Sequence, residues 1–478
     1  MGKAIGRREV LKAGLAGAAF GALGGLGTAG AQSSQDNPPP PGQRLPDGLH
    51  VTGPELALPA GFTYKTFGAF GSAMSDGFPT PPIPDGMGVF QDGAKIRIVR
   101  NHELGEGNDI MRRSVSGRPA TAYDTSAPGC TTTMILDADA NLLKSFISLN
   151  GTDTNCAGAS TPWGTWLSCE ETTIGTKTGR DRPHGYMFEV DPMEDSSVPT
   201  EPLRAMGRFL HEAAAVDQDT GVVYMTEDDN PDGFYRFVPE TFGKLHKGGT
   251  LQMLKIRGQP GYNTVRHQTV GDALPVVWVT IDNPDPAIAE SEPWAVFKQG
   301  RDKGAARFLS GEGATMRGNS VVFDSSDGGE LGLGQIWEYT PTKHIGGVGE
   351  EGKLELLYES TDRQILDGPD NLCTSPNGQI VIAEDGKESA SYVRALKKNG
   401  TVINLAKNLV PMRLSIIDAS GKLYDPSIPD DGFTVGDGLG YSEFAGPRFS
   451  PDGEWLFVNI QVPGITCAIT GDWGSLGL

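Results

Sequence analysis

The chain has 478 residues, 37% of them hydrophobic, with 66 glycines, 34 prolines and a formal net charge of −20. So acidic a surface disfavours nucleic acid and anionic membranes as partners, and so much Gly and Pro argues for many short strands rather than long helices. Five cysteines, an odd number at low density, exclude a disulfide scaffold.

Residues 1–31 read as a targeting segment. Arg7-Arg8 and Lys12 precede an uncharged Gly/Ala/Leu run, and Ala29-Gly30-Ala31 offers a small-residue cleavage site. Paired arginines before a weakly apolar run resemble a twin-arginine signal. The twin-arginine translocase is then an expected partner, and the periplasm or the exterior the expected location. No later stretch is long and apolar enough to span a bilayer, so no stable membrane anchor is expected. Residues 32–48 read as a disordered Pro-rich lead-in, which leaves 49–478 as a single folded domain.

That domain repeats one pattern: a glycine turn, a β-rich run, then a polar residue. Gly221 leads to Glu227, Gly378 to Glu384, Gly453 to Asn459 and Gly318 to Asp324, each six positions on. Gly164 leads likewise to Glu170, with Glu171 next, and a longer copy ends at Asn101-His102-Glu103. Second hairpin strands follow several copies, at 185–192, 233–240, 334–341 and 391–406. Six irregularly spaced hairpin units suggest an all-β, six-bladed β-propeller with large loop insertions and a central metal site. Two β-sandwich domains are the competing architecture. In a propeller the β-rich runs are expected to be the inner strands, whose ends converge on one mouth.

On that reading Glu171, Glu227 and Glu384 meet there, followed by Asp228, Asp229 and Asp385. Carboxylates gathered in one place cannot all stay ionised without cations, and hard oxygen ligands favour Ca²⁺, Mg²⁺ or a ferric ion. Cys156 and Cys169 flank the turn before Glu171; their spacing fits a disulfide and a thiolate ligand equally. His102 could act as acid, base or ligand, or be structural, and His211-Glu212 carries the same ambiguity. Asp370, Asn371 and Arg448 precede their turns at equivalent places and could enter the same channel. The Arg448 fork suits a phosphate oxyanion or a salt bridge. The serine-hydrolase elbow, the Walker loop and the zinc spacings are all absent from the sequence.

The twin-arginine leader, RNHE (100–103), NCAGASTPWGTWLSCEE (155–171), YMTEDD, GPDNLC and AGPRFSPDG together resemble the PhoX alkaline phosphatase family, over nearly the whole chain after the leader. The resemblance implies a propeller holding Fe³⁺ and Ca²⁺ and hydrolysing small phosphorylated substrates; a monomer is expected. It implies iron at Cys156 with Glu171, Glu227 and Glu384, calcium near Asp228, Asp229 and Asp385, and Glu103 as a further ligand. Cys169 is then a packing residue, Arg448 and Asn101 orient the phosphate, and His102 is the remaining catalytic candidate. A calcium-dependent propeller lactonase or phosphotriesterase, or a non-catalytic binding propeller, would lack the iron.

Overall fold

The computed structural model describes residues 40–105, 120–342, 351–386, 391–410 and 442–478. The targeting segment and residues 32–39 of the lead-in lie outside this set. Residues 42–48 of the lead-in form turns hydrogen-bonded to Leu49 and Val51, and Asp47 accepts from Tyr392 and Lys407.

Among the described residues the strands pair into six antiparallel units. In chain order their first strands are Pro84–Asp92, Asn155–Ser160, His211–Val216, Gly311–Arg317, Pro369–Thr374 and Phe444–Phe449. Each first strand contacts the next, and the sixth returns to the first. This closed ring of inner strands is the axis of a β-propeller. Six separate apolar clusters fill the spaces between successive blades, from Phe90 and Trp166 between the first two round to Met87 and Phe457 between the last and the first. Thr63–Phe67 pairs with Ile465–Thr470, so an N-terminal strand completes the sixth blade and ties the ring shut. One extra strand, Ala273–Thr280, joins the third and fourth blades into a nine-stranded sheet, and Leu56–Leu58 extends the fifth.

The β-rich runs of the sequence are therefore the second strands: Trp166–Glu170, Val223–Glu227, Ser320–Ser325, Ile380–Glu384 and Trp455–Ile460 each pair outside an inner strand. This corrects the sequence-based assignment, and the reason is steric. Second strands are packed on both faces, so they read as near-continuous Val, Ile and aromatic runs. Inner strands crowd an axis and carry small residues instead.

That crowding has a regular form. Every inner strand has a register shift at its start: between Pro84 and Met87, Asn155 and Gly158, His211 and Ala214, Gly311 and Ala314, Pro369 and Leu372, and Ala445 and Arg448. Each shift is a β-bulge, two residues facing one on the neighbour, which re-aims side chains. The first residue of each pair is Asp85, Cys156, Glu212, Glu312, Asp370 or Gly446. The second is Gly86, Ala157, Ala213, Gly313, Asn371 or Pro447. A Cβ on Gly313 would lie 2.2 Å from the Asp370 carbonyl oxygen, and one on Gly86 2.5 Å from the Ala157 Cα. These second positions form a tight collar, with the first positions just above it.

Candidate metal centre

The bulges deliver acids and one thiol to the channel mouth. Among the described residues three groups have donor atoms within 4.8 Å of one another: Asp85, Glu103 and Cys156; Cys156, Glu171 and Glu212; and Glu212, Glu312 and Asp370. Cys156 and Glu212 are shared, so the groups form one arc across the first five blades. All are buried except Glu103, which is half-buried. Six carboxyl groups and a thiol cannot be held this close in their ionised forms without bound cations. The donor set fits the metals the fold suggests: a soft thiolate among carboxylates in the middle, oxygen donors alone at one end.

Supporting contacts fix the arc. Gln461 Nε2 donates to Asp85 Oδ2 at 3.0 Å and to Glu103 Oε2 at 2.8 Å, so the sixth blade braces the first. Asn371 Nδ2 donates to Asp370 Oδ1 at 2.6 Å, and its Oδ1 accepts from Gly446 N at 2.6 Å. Glu171 N donates to Thr154 O at 2.9 Å.

Asn101 holds the Cys156 bulge. Its Nδ2 donates to the carbonyls of Cys156 and Ala157 at 2.9 and 2.8 Å, and its Oδ1 accepts from Trp166 Nε1 and Ser168 Oγ. With these bonds made, its side chain positions the strand rather than meeting a phosphate. His102 is similarly engaged: Nδ1 bonds Pro82 O at 2.8 Å and Nε2 bonds Thr132 Oγ1 at 3.0 Å. It braces the turn before Asp85.

The second-strand acids lie outside the three groups. Glu384 accepts from Arg394 Nε at 2.9 Å and from the backbone of Asp367 and Tyr392, and burial with that guanidinium leaves its carboxyl at about 7. Glu227 accepts from Tyr235 Oη at 2.7 Å and Gly233 N at 3.1 Å, and burial pushes it up to about 8. Asp228 N bonds Leu210 O, the Asp229 carbonyl accepts from Ser310 N, and Asp385 N bonds Gly368 O. These residues pin the entries of the inner strands that carry Glu212, Glu312 and Asp370. Arg448 follows its bulge and lines the space on the far side of the collar, its Nη1 bonded to Leu372 O.

All five cysteines are buried, and none is joined in a disulfide. Cys169 packs among Leu167, Met187, Phe209 and Met225, and burial pushes its thiol well up. Asp85 and Glu312 are the acids that the pattern of turns missed. Their signal was an acid followed by a glycine at a strand start, the same pairing of acid or thiol with a small residue seen in Cys156-Ala157 and Glu212-Ala213.

Behind Glu171 sits a buried ionic cluster. Glu170 accepts from His184 Nδ1 at 2.7 Å and from the backbone of Asp153, Gly185 and Tyr186; His184 Nε2 meets Asp124 at 3.3 Å, and Arg180 pairs with Asp153 at 2.5 Å. Burial works against a charge on His184, but Glu170 and Asp124 outweigh it and hold the imidazole at about 9. A raised folded pKa contributes stability that is complete below the unfolded value of about 6.5 and lost as pH rises through 9. The melting temperature is therefore expected to fall between pH 7 and pH 10. A His184→Gln variant should melt lower at pH 7 and show a flatter profile, read by calorimetry.

Among the described residues no helix is long and apolar enough to cross a membrane. No curated protein sequence is significantly similar to the chain. In fold it is similar to Pseudomonas fluorescens PhoX in complex with vanadate, a transition state analogue, with TM-score 0.63 and 16% identity over 91% of this chain and 98% of that one. A weaker likeness, TM-score 0.38 and 9% identity over 82% and 86% of the two chains, links it to XC5397 from Xanthomonas campestris, a gluconolactonase. The family model for alkaline phosphatase PhoX matches residues 46–464, and the chain belongs to that family of metal-dependent phosphatases.

Proposed function

We propose that the protein is an exported phosphatase for small phosphomonoesters, working as a monomer in the periplasm or outside the cell with iron and calcium in the channel mouth. The observation that carries this reading is the run of three donor groups sharing Cys156 and Glu212. The group of Cys156, Glu171 and Glu212 suits a ferric ion, because a thiolate selects a transition metal. Glu212, Glu312 and Asp370 offer only oxygen and suit calcium. Asp85 and Glu103, braced by Gln461, complete the arc on its other side. Such ions, when bound, supply the positive charge that phosphoryl oxygens need in the transition state.

The chain's own residues do the remaining work. Asn101 and Asn371 hold two bulges at fixed positions, so that donors face the channel before substrate arrives. The collar closes the channel floor and keeps the ester at the mouth. A chain of net charge −20 gathers cations and repels free anions, so substrate binding depends on the metals.

The test is hydrolysis of p-nitrophenyl phosphate between pH 8 and pH 10. Protein loaded with iron and calcium should turn it over, lose at least about 100-fold in rate on chelation, and recover when both metals return. Metal-loaded protein that leaves the ester untouched would refute the reading. A colourless, calcium-only preparation that opens lactones would favour the lactonase alternative instead.

A further inference from the structure

The propeller channel has a second end. Beyond the collar it opens into a cavity of about 550 Å³ lined by the C-terminal ends of the inner strands, including Val216, Thr315, Met316, Thr374 and Phe449. Between this cavity and the metal groups lies a space of only about 10 Å³, walled by Gly86, Ala157, Ala213, Gly313 and Gly446. That volume holds about one water molecule. A phosphate ester does not pass through it, so the far cavity is neither the entrance to the metal groups nor part of them.

Arg448 lines both spaces. Its Nη1 donates to Leu372 O and, at 3.4 Å, to Pro447 O. Among the described residues no carboxylate pairs with it. In a chain with 60 acidic and 40 basic residues, a cation set in a cavity without an acid is informative. Asp452, the one carboxylate of the lining, accepts instead from the Ser450 hydroxyl and Glu454 N. Apart from the Gln218 amide and the Cys373 thiol, the rest of the wall is hydroxyl or apolar: the Thr315 and Thr374 hydroxyls lie 3.3 Å apart, and Thr374 donates onward to Met316 O. Arg448 is half-buried, carbonyl oxygens accept from its guanidinium, and its planar fork is matched to an oxyanion.

We propose that this far cavity is a second ligand site, for a small organic oxyanion whose charged head sits on Arg448 and whose body rests against Val216, Met316 and Phe449. The cavity is larger than a bare phosphate needs, and its apolar wall favours a ligand with a carbon body. The site is independent of the metal groups, because the collar separates the two.

Calorimetric titration of the metal-loaded full chain with benzoate and with phenylphosphonate tests it; the two probes separate a carboxylate from a phosphoryl head. At least one should bind saturably, and benzyl alcohol, uncharged and of similar size, should bind at least tenfold more weakly. Arg448→Gln should weaken benzoate or phenylphosphonate at this site at least tenfold. Met316→Trp fills the cavity and leaves the guanidinium in place; it should do the same, and it serves if Arg448→Gln does not fold. Binding that is unchanged in both variants overturns the proposal, as does benzyl alcohol binding as tightly as the anions, or no saturable binding of either probe.

Discussion

Replacing Cys156 by alanine is expected to abolish the thiolate-bound metal and lower phosphatase turnover by at least about 100-fold, a loss at the upper end of that for residues that only support a ligand. Cys156 is the first residue of its bulge, is fully buried, and belongs to two of the three donor groups. Removing it takes one donor from each group at once. Cys169 is the control, since it stands only two positions before Glu171 on the paired strand. Its side chain packs between the second and third blades with Met187 and Phe209. Cys169→Ala should retain metal and activity and cost about 1 kcal/mol of stability from the small cavity it leaves. Metal analysis and visible absorbance of the two variants give the comparison directly, because only loss of a ferric–thiolate pair removes colour.

The second large effect concerns which strand carries the ligands. Glu212→Gln keeps the size of the side chain and removes the charge shared by the central and last groups. It should lower turnover by at least about 100-fold and deplete both iron and calcium. Glu384→Gln makes the opposite prediction. Glu384 is equally buried, but its bonds go to Arg394, Asp367 and Tyr392. Leaving the Arg394 guanidinium without its partner should cost about 3 kcal/mol, read as a lower melting temperature, with the metal content per folded molecule unchanged. If Glu384→Gln emptied the site and Glu212→Gln did not, the acids at the second-strand ends would be the ligands.

The hairpins were readable because second and third strands bury both faces. Runs such as Val223–Glu227 and Ile380–Glu384 are apolar or β-branched nearly throughout, and the segments expected after them hold the strands Met187–Val190, Tyr235–Pro239, Gln335–Pro341 and Tyr392–Leu396. The inner strands were not readable in that way. Asn155–Ser160 reads NCAGAS and His211–Val216 reads HEAAAV, compositions with weak strand preference. They are strands because the ring closes around them, a tertiary effect that local propensity does not report. The misplaced acids follow from the same cause. Glu227 and Glu384 end strongly patterned strands, so they drew attention, whereas Asp85 and Glu312 sit in PDGM and GEGA, which look like loops. In an antiparallel pair the end of a second strand lies beside the start of its inner strand: Glu227 is opposite His211, and Glu384 opposite Pro369. The acids picked out by the turns therefore stand at the same end of the channel as the donor groups, one strand further out. NCAGASTPWGTWLSCEE contains both a bulge and a strand end, so Cys156 and Glu171 fall together in the central donor group.

Anomalous scattering at the iron edge from crystals of the metal-loaded protein is the most direct test of where the metal sits. The account predicts a peak among Cys156, Glu171 and Glu212, above the collar and within bonding distance of the Cys156 sulfur. Iron at Glu227 or Glu384, or a channel mouth without iron in protein that hydrolyses phosphate esters, would contradict it.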